Sequence, residues 1–332
     1  IKHTREPGRT TAYLAPFPKP QLKGVKPEDI PSRFLIYTPP LPPLSKPAPG
    51  EKESQWHKTQ RLWQEDVRRA TMTNASRVTW KGMKAKGTSL INKGVSKTRS
   101  STVEFLDRVP RALDHLTLIH PPSLTLSPEE IRTEFVSTLL RTREQSRNQA
   151  LVASALLPIA ATIDVALVVT FGGLTQTTGV WAYQNTRGAI ASKKMTRGLA
   201  RSESYHVSEN GAQEEDKGIA MNMQSSLALE PFARYLERAC LQKSFSMFPH
   251  IEAEQSSHAG IPTEDEILEA MGWAPTRRYG RDLEIAEHDG RTQKLTAEQD
   301  EDWQRKEARE DVERVVRKAA AEWVAACKGF GK

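Results

Sequence analysis

Cysteine is nearly absent from this chain. Two thiols, Cys240 and Cys327, in 332 residues exclude a disulfide framework and a Cys-rich zinc module. Aromatic residues are sparse at 7%, and apolar residues reach only 37%, below the ~45–50% of an ordinary globular domain, a benchmark that also counts Gly. A core small for the length follows, with part of the chain extended or loosely packed. Phosphate loops of the GxxxxGK[ST] or GxGxxG kind do not occur, and neither do HExxH or CxxC spacings. The His residues are scattered; His115 and His120 stand five apart, which is not a helical ligand spacing. Cys240 has no evident neighbouring base. These absences remove the usual catalytic constellations, so no enzyme activity, metal or cofactor is expected.

Charge is present in quantity and unevenly placed. The formal net charge is +7. Residues 1–200 hold 30 Lys+Arg against 15 Asp+Glu, whereas residues 201–332 hold 18 against 26. Such a split points the first part at an anionic surface, lipid or nucleic acid. The length allows one or two domains. The visible start at Ile1 has no secretory signal pattern, and a removed transit peptide would leave such a start.

Residues 1–50 form a Pro-rich, extended and β-like region with 12 of the 21 prolines. The runs Thr11–Phe17 and Arg33–Thr38 are aromatic and β-prone, and read as paired edge strands. Pro39–Pro43 reads as polyproline II, a stiff spacer more than a ligand.

Residues 51–147 read as a basic amphipathic helical region. Trp56, Trp63, Val67 and Ala70 lie on one helical stripe. From Val67 to Val103 there are nine cations and no acid, among them Arg68, Arg69, Lys81, Lys84 and Lys86. These are candidates for an anionic lipid surface or for RNA phosphates, or else a solvated helix face. The run Val103–Leu118 continues the pattern, interrupted by Pro110. Ser127-Pro128-Glu129-Glu130 is a helix start with a capping box.

Residues 148–187 read as a hydrophobic membrane segment. Ala150–Leu174 is apolar or small except for Asp164 and hydroxyls. Its window Ala150–Val169 meets the ~20 residues a span requires, with a buried core helix as the other reading. Arg141, Arg143 and Arg147 precede the segment, and Arg187, Lys193 and Lys194 follow it. Cations on both sides fit a hairpin whose ends return to one side. Asp164 is either a proton acceptor or cation ligand within the membrane, or a residue of an interfacial turn, which the hairpin favours.

Residues 188–225 read as a polar linker, and residues 226–332 as an acidic, soluble helical tail. Thr263–Glu266 is a capping box, and Thr296 caps the last helix. Val312, Val316, Ala319, Trp323 and Ala326 make a stripe for packing or for a protein partner. The expected fold class is therefore mainly α: a membrane-associated helical protein with a hydrophobic helical hairpin or single span.

The order of features resembles the mitochondrial K+–H+ exchange-related protein family. The residues that carry the resemblance are Tyr13-Leu14-Ala15-Pro16, Arg33–Tyr37, Trp56, Trp63, Leu106–Pro110, His120-Pro121, Arg143, Arg147, Leu156–Ile159, Trp181-Ala182-Tyr183 and Arg187. It covers roughly residues 11–200, with a weaker echo at Thr263–Trp273. The chain departs from the family pattern in its aromatic-poor hydrophobic segment and its extra last helix. The resemblance implies the mitochondrial inner membrane, potassium ion transport by proton exchange, and matrix ion and volume homeostasis. It brings no catalytic residues. An accessory role is expected, since one weak hairpin is too little for an alternating-access path. The alternative is a peripheral matrix adaptor that binds RNA or the mitochondrial ribosome through residues 67–103.

Overall fold

The computed structural model describes residues 6–44, 100–110, 112–144, 190–200, 218–249, 260–277, 283–286 and 292–330, and scattered positions between 3 and 64. A mixed four-stranded sheet organises them. Strand β1 (Arg9–Pro16) pairs antiparallel with β2 (Phe34–Tyr37), Tyr13 opposite Tyr37. Helix α1 (Ser101–Arg108) follows, with Ser100 Oγ accepting from the Val103 amide as its cap. Strand β3 (His115–His120) lies parallel to β1 on its other side. The helical residues 128–144 (α2) and 190–200 (α3) then lead to β4 (Ala220–Ser225), parallel to β3. The order is β2-β1-β3-β4.

Helix α4 (Glu230–Lys243) and helix α5 (Glu264–Ala270) come next. A separate antiparallel pair, β5 (Leu283–Ala286) with β6 (Thr292–Leu295), precedes the 34-residue helix α6 (Ala297–Phe330). Three helix starts close as capping boxes: Ser127 with Glu130, Thr263 with Glu266, and Thr296 with Gln299.

Strand periodicity divides the core in two. One face of the sheet gives Tyr13, Ala15, Leu35, Tyr37 and Ile119 to a cluster with α4, α5 and α6. The other gives Ala12, Leu14, Phe34, Ile36, Leu116 and Leu118 to a cluster with α1, α2 and α3. Because both faces are covered, β1 and β2 read as apolar runs rather than as alternating strands. Helix α6 joins the layers. Trp323 stacks on Phe17 at 5.1 Å and donates its indole N–H to Pro18 O at 2.9 Å.

The mainly-α expectation is overturned by the four-stranded sheet. The β-like runs at the N-terminus are half of a sheet at the centre of the molecule. Its other half comes from His115–His120, read as helix continuation, and Ala220–Ser225, read as linker. Among the described residues no helix is long and apolar enough to cross a membrane. The window 150–169 and Asp164 lie outside the described residues.

Candidate functional site

Helices α2 and α3 form an antiparallel stem. Arg132 donates to Leu199 O at 3.2 Å, and Ser192 Oγ donates to Leu139 O at 2.6 Å. The residue number rises on one helix as it falls on the other, with seven residues between the two contacts on each. Ile131, Phe135 and Leu139 from α2 and Met195 and Leu199 from α3 are buried against the sheet. The base of the stem is pinned at Gly198, whose carbonyl accepts from the Ile219 amide at 3.1 Å. A methyl group at residue 198 would stand 2.6 Å from Ile219 Cδ1, so a larger residue there would have to displace the Ile219 side chain.

This register puts residues 144 and 190 at the same end of the stem. Residues 145–189 connect the two helices in sequence, and they contain the apolar run 150–174. Arg141 and Arg143 on α2 and Lys193, Lys194 and Arg197 on α3 are exposed. Two apolar side chains stand among them, Leu140 at 44% exposure and Ile190 at 62%. Acidic groups are fewer here: Glu144 is exposed, and Glu134 binds Arg141 at 2.5 Å. The stem end thus combines cations with bare apolar side chains, the composition suited to an anionic interface.

The structure brings Arg141, Arg143, Lys193 and Lys194 together at this end. Arg147, Arg187, Asp164, Arg68, Arg69, Lys81, Lys84 and Lys86 lie outside the described residues. Leu140 and Ile190 were missed by sequence reasoning, since a helical apolar residue is ordinarily assigned to the buried face. Their place at the two ends of the excursion was the available signal.

A second cluster of charge is internal. Asp311 on α6 binds Arg108 at 2.7 Å and Arg314 at 2.5 Å, and accepts from the Tyr37 hydroxyl at 3.0 Å. Glu104 binds Arg314 at 2.6 Å and Lys318 at 2.5 Å. Burial opposes ionisation of Asp311, but Arg108 and Arg314 more than offset it and hold its carboxyl below the usual range. Burial likewise opposes the Arg108 charge, and Asp311, Tyr37 and Glu104 together outweigh it. The network fastens α6 to α1 and β2. The stripe Val312, Val316, Ala319 and Trp323 is buried in the chain's own core.

The open part of the sheet forms a groove of about 1010 Å³ beside β4, lined by Arg9, Thr11, His115, Thr117 and Asn222 among others. Its lining carries the Thr11 and Thr117 hydroxyls, the Asn222 and Gln224 amides, and the ionisable side chains of His3, Glu6, Arg9 and His115. Cys240 and Cys327 are buried, and burial pushes the Cys327 thiol up to about 11, so neither is a reactive thiolate at neutral pH. Among the described residues no group of three His, Cys, Asp or Glu could hold a metal ion. No family model, curated protein or solved structure matches this chain.

Proposed function

We propose that this chain is an accessory protein of the mitochondrial inner membrane, linked to K+/H+ exchange and matrix cation and volume balance. Its stem end would face anionic lipid. The observation that carries the membrane part is the antiparallel stem, which gathers Arg141, Arg143, Lys193 and Lys194 around Leu140 and Ile190. Each cation near an anionic bilayer is worth about 1 kcal/mol. Arg143 and Lys193 together supply roughly 2 kcal/mol, about thirtyfold in partition. The potassium link rests on the family resemblance of residues 11–200. The described body is a packed sheet with helices, which supports the accessory role over that of an ion path.

The test is made in isolated mitochondria. The protein is expected in the inner-membrane fraction, and its loss is expected to slow potassium-dependent swelling. Recovery in the matrix supernatant at low salt, or unchanged swelling without the protein, would contradict the reading.

A further inference from the structure

A cavity of about 360 Å³ opens where β2, α1, α2 and α6 meet, lined by Arg33, Ser100, Thr102, Arg141, Thr142 and Trp323 among others. That volume is enough for a small ligand. The Arg33 guanidinium lies 5.8 Å from the Trp323 ring centroid and 5.7 Å from that of Phe330. The rings hold it in place without using its N–H groups. Its Nε is buried with no hydrogen-bond partner. Glu134 stands 4.0 Å away, beyond hydrogen-bond reach.

Two acids stand at this cavity, and both already accept hydrogen bonds. Glu134 accepts from Arg141 at 2.5 Å and from the hydroxyls of Ser137 and Thr138. Glu322, on the α6 side, accepts from the Ser101 amide at 3.1 Å and hydroxyl at 2.6 Å. Burial pushes its carboxyl up. Burial and the neighbouring Arg141 lower the Arg33 pKa and Glu134 opposes them, so Arg33 and Arg141 stand close together with one carboxylate beside both. Arginine pairs beside hydroxyls match the oxygen geometry of a phosphate group, which guanidinium groups bind in a bidentate manner.

We infer that this cavity receives a phosphate group between Arg33 and Arg141. Arg141 and Thr142 belong to the last turn of α2, so the cavity lies beside the stem end. The phosphate can come from a lipid headgroup, a source that rests on the membrane reading above, or from a free phosphate ester, which does not.

The full chain is titrated calorimetrically with inorganic phosphate and with water-soluble dihexanoyl phosphatidic acid. Flotation on phosphatidylcholine vesicles containing phosphatidic acid is measured in parallel. Arg33→Gln is expected to weaken binding of both soluble probes about tenfold or more. Arg141→Gln leaves Arg33 on its rings and is expected to act in the same direction, which provides a second variant if the first misfolds. Lys193→Ser with Lys194→Ser should weaken flotation and leave both titrations unchanged, so the membrane reading and the cavity fail separately. Tighter binding of the soluble lipid assigns the headgroup; equal or tighter binding of inorganic phosphate assigns the free ester. Absence of binding by both probes, or titrations unchanged in both arginine variants, overturns the inference.

Discussion

The C-terminal helix α6 and the α2–α3 stem lean on opposite faces of one sheet, and each treats charge differently. Helix α6 turns Asp311, Arg314 and Lys318 inward, where Arg108, Glu104 and Tyr37 meet them. The stem turns Arg143, Lys193 and Lys194 outward. Buried ion-paired charge is costly to break by removing one partner. Exposed charge contributes little to stability. The same residue types therefore fasten the molecule at one place and equip it for contact at another.

The comparison breaks most severely at Trp323. Its replacement by alanine removes the stack on Phe17 and the bond to Pro18, and should cost about 3–5 kcal/mol. Urea unfolding would show the midpoint falling sharply. Next in size, Arg108→Met leaves Asp311 with Arg314 as its remaining cation and should cost about 3 kcal/mol.

Acid probes the same network. The folded Asp311 carboxyl titrates below the usual aspartate value of about 3.9. Its contribution is therefore full above that value and is lost as pH falls through the folded value. Stability measured from pH 6 to pH 2 should decline at the acid end, and decline less in Asp311→Asn. An equal acid slope in both proteins would contradict this assignment.

The stem responds more mildly. Ser192→Ala removes the buried bond to Leu139 O and should cost about 1 kcal/mol, read as faster amide exchange in α2 and α3. Lys193→Ser with Lys194→Ser should change stability by no more than about 0.5 kcal/mol, because these side chains are exposed.

Local chemistry was legible where it was short-ranged. The capping boxes at Ser127, Thr263 and Thr296 form as their spacing predicts, since three residues of helix geometry suffice. The strand runs around Tyr13 and Ile36 were readable for the same reason. Their partners were not. His115–His120 and Ala220–Ser225 are six residues each, and β4 carries Asn222 and Gln224 on a half-exposed edge. Only pairing to β1 and β3 makes them strands, and that pairing spans about a hundred residues of sequence. The basic flanks of the apolar run were visible as composition. That Arg141 and Lys193 share one end depends on the α2–α3 register, which tertiary contacts set. Arg33 looked like the start of a strand, and its cavity required α6 to fold back over it.

The central claim is that the stem end meets anionic lipid, and vesicle flotation of the full chain measures it most directly. The wild-type protein is compared with a variant carrying Arg143→Ser, Lys193→Ser and Lys194→Ser. Binding to cardiolipin-containing vesicles is expected to fall about fivefold for each cation removed, with unfolding unchanged. Equal flotation of the two proteins would contradict the account.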